Sequence, residues 1–280
     1  MNPKPFLKSL GMQFDCKPAQ LNNRFYKSLT EEQQERVEDI WDRKVMGFGA
    51  NTELYAIPKT MKQAVRLYSL DAARYVASLD WFSEVAVYTC PDRVFEIGAG
   101  AGITSGYLKK HHPKLAIDGI EQHENMARIA KDTFGSNIKV GDYLEVKGKG
   151  SHDLVICDFG FDIEDLPPSK QPHSTAEVDG HKYCPGCAED MGETLKPYFA
   201  NWASWMNETG KLAVAGRFSN MGMVYAALVA AQAAGLRPIE DLCKVLKMTQ
   251  SGMKQKFPAL VFEHGEMDAT LKSAAYLYSL

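Results

Sequence analysis

Apolar and polar positions change rhythm once along this chain. Up to about residue 90 they recur at helical spacing, and from Arg93 onward short apolar runs alternate with helical stretches. In the first part, Thr30-Glu-Glu-Gln33 has the form of a capping box, and Gln34 to Arg43 follows with Val37, Ile40 and Trp41 on one face. Met61, Ala64, Val65, Tyr68, Ala72, Tyr75 and Val76 make a wide apolar stripe that predicts a further helix from Thr60 to about Leu79. No stretch before residue 90 alternates as a good strand does. Residues 1–90 therefore read as a helical N-terminal region, with Met46 to Thr52 a glycine-bearing connection suited to gating access.

The second part predicts strands at Val94 to Ile97, Leu115 to Ile120, Ile138 to Val140, Leu154 to Cys157, Gly210 to Ala215 and Phe257 to Phe262. Between them lie helices at Ile103 to Lys110, Glu124 to Phe134 and Met221 to Ala234, the last stopped by Gly235 and Pro238. Strand and helix in alternation imply an α/β fold with a mostly parallel sheet and helices on both faces. A chain of 280 residues can bury one such core and carry an accessory region.

The run Val94-Phe-Glu-Ile-Gly-Ala-Gly-Ala-Gly-Ile-Thr104 carries the chemistry: a buried strand enters a glycine turn and leaves as a helix. Bare backbone at such a turn can approach a ligand closely. A dinucleotide fingerprint needs its third glycine at position 103, which is Ile103 here. Glu96 argues further, because a carboxylate aimed into the turn opposes a pyrophosphate and favours a cationic ligand.

Glu96, Gly98, Gly100 and Gly102 together resemble the first motif of the class I S-adenosylmethionine (SAM)-dependent methyltransferases. The resemblance covers roughly residues 90 to 265. It implies a Rossmann-like, seven-stranded, mostly parallel sheet in which Phe257 to Phe262 forms an antiparallel hairpin with a strand near Leu242 to Leu246. It implies that Glu96, Gly98, Ala99, Gly100 and Gly102 form the cofactor turn, that Glu121 accepts both ribose hydroxyls, and that Gln122 lies against the adenine edge. Asp142 and Tyr143 would hold the adenine, and Asp158 and Phe159 would end the fourth strand beside the transferred methyl. Each of these acids has an ordinary alternative as a turn or helix start. Their order and spacing together favour the cofactor reading. The expected division is a helical lid and substrate region, 1–90, and a SAM-binding domain, 91–280, with an insertion at 162–195.

That insertion holds His173, His181, Cys184 and Cys187 around His181-Lys-Tyr-Cys-Pro-Gly-Cys187. A Cys-x-x-Cys turn with two imidazoles nearby can complete a tetrahedral zinc site; a redox pair and an unliganded loop are the alternatives. Asp158 and His181 are the candidate proton acceptors, and Tyr26, Tyr55, Tyr68 and Phe161 the candidate acceptor-lining residues, with simple packing the alternative for each aromatic. Asp158-Phe-Gly-Phe161 lacks the Pro-Pro pair of the amino-methylating nucleic-acid and glutamine enzymes.

Net charge disfavours nucleic acid as well: at -3, with a pI near 6.2, the chain has no basic surplus. Its N-terminus lacks a secretory apolar core, and its longest apolar run, Met221 to Ala231, is too short to span a bilayer. A cytoplasmic protein without membrane partners is expected, and self-association is left open. The expected activity is methyl transfer to oxygen, nitrogen or sulfur of a small molecule. Transfer of the aminocarboxypropyl arm, or SAM binding by a non-catalytic partner subunit, are the alternatives.

Overall fold

The computed structural model describes the chain apart from residues 1, 15, 48–50, 161–169, 217 and 251, and apart from the side chains at 51 and 250. Its N-terminal part is helical: α1 (Lys4–Ser9), α2 (Pro18–Tyr26), α3 (Glu31–Val45), α4 (Met61–Tyr68) and α5 (Ala72–Thr89). The capping box at Thr30 forms, its hydroxyl accepting from Gln33 N–H at 3.4 Å while Gln33 Oε1 accepts from Thr30 N–H at 3.0 Å. The single helix expected from Thr60 to Leu79 is broken into α4 and α5 by a 3-10 turn at Ser69–Asp71. Ser69 Oγ donates back to Val65 C=O at 2.7 Å and accepts from Gln13 N–H at 3.1 Å. A side chain that bonds the preceding turn's carbonyl competes with the helical ladder and bends it.

Then strand and helix alternate: β1 (Arg93–Ile97), α6 (Ile103–His111), β2 (Ala116–Glu121), α7 (Glu124–Phe134), β3 (Asn137–Val140) and β4 (His152–Asp158). A two-stranded hairpin follows, β5 (Ala176–Val178) and β6 (His181–Tyr183), closed by Asp179 and Gly180 at positive φ. Such a pair matches the twist of the flanking strands. The chain ends with α8 (Pro185–Ala203), β7 (Met206–Ala215), α9 (Met221–Ala233), β8 (Leu236–Pro238), β9 (Lys244–Gln250), β10 (Met253–His264) and α10 (Leu271–Ser279). From Pro185 onward the expected insertion is thus continuous helix.

The main sheet runs β3-β2-β1-β4-β7-β10-β8, with β9 also paired to β10. Among the described residues it has eight strands where seven were expected, and the reason is local. Both β8 and β9 lie antiparallel to β10, Pro238 opposite Phe262 and Lys244 opposite Ala259. Between them the chain turns through a 3-10 helix at Glu240–Leu242, while Ile239 N–H still reaches Val261 C=O at 2.8 Å. One edge position is therefore filled by an interrupted strand. The hairpin that the resemblance implied is β9 with β10.

Alternate residues of β4 point to opposite layers, as the strand period requires. Leu154 and Ile156 pack with Trp81, Phe82 and Val85 of α5, whereas Val155 and Cys157 pack with Leu195, Phe199 and Trp202 of α8 and with α9. The N-terminal helices share a core with the sheet domain: Phe6, Leu7, Val65 and Tyr68 pack with Ile103 and Tyr107 of α6 and with Met126 and Ile129 of α7. No helix among the described residues is long and apolar enough to cross a membrane.

Candidate functional site

The helix after β1, α6, and the next helix after β4, α8, pack on opposite faces of the sheet, which opens a crevice at the carboxyl ends of these strands. A cavity of about 240 Å³ lies there, lined by the ends of β1 (Glu96 to Ala101), β2 (Glu121 to His123), the loop after β3 (Asp142 to Leu144) and β4 (Asp158 to Gly160). Tyr55, Tyr68, Arg74 and Tyr75 close it from the N-terminal side, and Tyr198 of α8 from the other.

The glycine turn has steric causes. Gly98 has φ +61°, and a Cβ there would stand 2.6 Å from Gly160 Cα, so β1 and β4 can close at the switch point only without it. Gly102 does not line the cavity; a Cβ on it would lie 2.7 Å from Ala130 Cβ. It allows α6 to approach α7, so its contribution to the turn is packing. Gly100 donates its N–H to Glu121 Oε2 at 2.8 Å, and His123 N–H donates to Glu121 Oε1 at 2.8 Å. Glu121 thereby ties the tip of β2 to the turn after β1. Burial raises its pKa, against these backbone donors that lower it.

Glu96 is fully enclosed. It points from β1 under the turn, where the Ser105 hydroxyl donates to it and Ser105 N–H donates at 3.2 Å. Burial pushes its carboxyl up to about 8, opposed by the Ser105 bonds. Asp142 lines the cavity and accepts from Leu144 N–H at 2.8 Å, a local turn, and Tyr143 beside it meets Tyr198 edge-on at 6.0 Å.

Asp158 is held from three sides. Arg74 Nη1 donates at 3.1 Å, Ser78 Oγ at 3.3 Å and Thr104 Oγ1 at 2.8 Å. The Arg74 and Asp158 side chains are only 9% and 4% exposed, so this is a buried ion pair. The Arg74 guanidinium also lies 3.9 Å from the Tyr75 ring centre and 4.3 Å from that of Phe159. Phe159 takes φ +53°, rare for a large side chain, and its N–H is fixed to Ala215 C=O at 2.8 Å. Arg74, Ser78, Thr104, Ser105, Tyr75 and His123 were not singled out from the sequence. An arginine inside an apolar helical stripe was the one available signal, since burial there demands a partner.

Of the aromatic candidates, Tyr55, Tyr68 and Tyr75 follow one another over the cavity, with centroids 5.9 and 5.4 Å apart. Tyr68 is fully buried, its hydroxyl accepts from Ala101 N–H at 3.3 Å, and burial raises its pKa well above the ordinary value. Tyr26 is a correction: it is absent from the cavity wall, stacks on Trp41 at 6.0 Å and donates its hydroxyl to Glu38, because α3 takes up its ring. Phe161 and residues 48–50 of the Met46 to Thr52 connection lie outside the described residues.

The insertion residues are brought together in part. Ligand atoms of His173, Cys184 and Cys187 lie within 4.8 Å of one another. His173 Nδ1 is 3.1 Å from Cys187 Sγ and 3.9 Å from Cys184 Sγ. Ser174 N–H, donating to Cys184 Sγ at 3.5 Å, and the neighbouring Cys187 pull the Cys184 thiol down to about 6. His181 does not join them, which corrects its expected place in a four-ligand set. As part of β6 its ring faces Tyr278, and its Nε2 lies 2.8 Å from Ser279 Oγ of α10. Nor does it line the cavity, so it is also removed from the place of a proton acceptor there.

No protein-family model matches this sequence, and no curated protein matches it. Solved structures do resemble it. One is magnesium protoporphyrin IX methyltransferase from Synechocystis with bound SAM, at 13% identity and a TM-score of 0.44, covering 81% of this chain and 90% of that one. Another is a TehB-like SAM-dependent methyltransferase from Corynebacterium glutamicum, at 19% identity and a TM-score of 0.43, covering 67% and 87%. At identities this low the likeness is one of chain trace.

Proposed function

We propose that the cavity binds SAM and that the chain transfers its methyl group to oxygen, nitrogen or sulfur of a small molecule. The observation that carries the reading is Glu121, buried at the end of β2, tied by backbone donors to the glycine turn after β1 and lining the cavity at the sheet's switch point. Among the described residues no lysine lines that cavity, and Arg74, the one arginine that does, is paired with Asp158. With the Glu96 carboxyl protonated near neutral pH and the described guanidinium paired, the cavity offers a pyrophosphate no free counter-charge, while Glu121 offers ribose hydroxyls an acceptor.

SAM, when bound, supplies an electrophilic methyl group on a sulfonium. Glu121 would accept from the ribose hydroxyls, and Asp142, Tyr143 and Gln122 would enclose the adenine. Asp158, held by three donors, keeps Arg74 and the β4 end in place. Tyr55, Tyr68, Tyr75 and Phe159 would exclude water and orient the acceptor, with the N-terminal helices as a lid. An in-line displacement gains most from such alignment. The acidic balance of the chain supports a small acceptor over a nucleic acid.

Calorimetric titration with SAM, with NADH as comparison, tests the site: stoichiometric SAM binding and no NADH heat are expected. Mass analysis of the spent cofactor then separates chemistries. S-adenosylhomocysteine marks methyl transfer, and methylthioadenosine marks transfer of the aminocarboxypropyl arm. Tight SAM binding without turnover, with a stable heteromeric partner, would make the chain a binding subunit.

A further inference from the structure

We propose that His173, Cys184 and Cys187 bind one zinc ion at the start of α8, away from the cofactor cavity. Two thiolates offset the charge of a divalent ion, and two sulfurs with one imidazole select zinc over magnesium or calcium, which take oxygen donors. Zn–S bonds of ~2.3 Å and a Zn–N bond of ~2.0 Å at tetrahedral angles place sulfur and nitrogen roughly 3.5 Å apart. The observed separations of 3.1 and 3.9 Å bracket that value. These three residues fill three of the ion's four positions.

Backbone bonds of the preceding segment to α8 help to position the donors. Asp190 on α8 accepts from Lys170 N–H at 2.7 Å and Gln171 N–H at 3.3 Å, which lays the preceding segment along the first turn of the helix. Gly186 makes room for this, since a Cβ there would lie 2.6 Å from Gln171 Cβ. The next residues deliver His173 over the two sulfurs. A redox dithiol needs only its pair of sulfurs, whereas here one ring nitrogen faces both. None of the three lines the cofactor cavity. Tyr198, which does, lies fourteen residues beyond Cys184 along α8, about 21 Å by helical rise. The ion therefore clamps the segment before β5 to α8 and takes no part in binding SAM.

The test is zinc content of the purified, reduced chain by elemental analysis, with cobalt(II) replacement as an optical readout. Equimolar zinc and a sulfur-to-cobalt charge-transfer band are expected. Cys184→Ser and Cys187→Ser should each lose most of that band, His173→Ala should weaken metal retention, and His181→Ala should keep it. Thermal melts report whether each variant is folded. Independently of variants, zinc should shield Cys184 and Cys187 of the natural chain from alkylation until a chelator is added. A reduced chain that takes up no zinc, zinc retained in both serine variants, or unprotected thiols in the zinc-treated chain would each overturn the proposal. Zinc uptake is read without SAM, so failure of the cofactor reading leaves this test intact.

Discussion

Two clusters of polar side chains assemble residues distant in sequence, and they differ in what completes them. Around Asp158, Arg74, Ser78 and Thr104 reach across separations of 84, 80 and 54 residues, and every donor finds its acceptor within the protein. At the start of α8, His173 is exposed and Cys184 and Cys187 are half-buried, and their lone-pair-bearing atoms face one another. The difference follows from solvent. A buried charge must be matched inside the fold because its lost hydration is not otherwise recovered. An exposed cluster can stay covered by water until a ligand arrives.

Arg74→Met leaves Asp158 buried without its counter-charge. A loss of about 3–5 kcal/mol is expected in urea unfolding, with partial recovery when Asp158→Asn is added. A loss under about 1 kcal/mol would mean that water already reaches the pair. Glu121→Ala comes next, because it removes the acceptor of two backbone donors in the cavity. SAM affinity should fall about 10- to 100-fold in calorimetry, the equivalent of a charge-assisted hydrogen bond of ~1.5–3 kcal/mol. Unchanged affinity would remove Glu121 from the site.

Glu96 tests the rule from the other side, as a buried acid with hydroxyl and amide donors but no cation. Its carboxyl titrates near 8 in the folded chain against 4.5 as the reference value. Between these values the folded state holds a proton that the unfolded state has lost, so stability should fall as pH rises from 4.5 to 8. Melting temperature against pH should therefore slope downward over that window in the natural chain, and Glu96→Gln should flatten the slope. The smallest effect belongs to the exposed cluster: without metal, Cys184→Ser should change stability by less than about 0.5 kcal/mol. A large loss there would show that the cluster, too, is completed from within.

Much of the fold was legible because short-range pattern dictates it. Strand alternation, the Thr30 capping box, and the glycines after β1 each act over a few residues, and each forms where the pattern placed it. Tyr26 and His181 were misplaced because a ring's neighbours depend on how helices and hairpins dock. The helical stripe from Met61 to Val76 could not reveal the break at Ser69, whose hydroxyl needs Gln13 from another segment to settle there. Arg74 was passed over for the same reason: its partner is 84 residues away.

By itself the sequence determined the α/β class, the helical N-terminal region, and the acids and glycines at the strand ends, because periodicity, caps and tight turns are local properties of the backbone. Only the tertiary structure decided that the edge of the sheet is an interrupted strand, that Gly102 serves helix packing, and that Asp158 is committed to Arg74. It likewise chose His173 over His181 for the cluster at α8. Those outcomes rest on contacts between distant segments, where burial and donor–acceptor matching act over the whole fold.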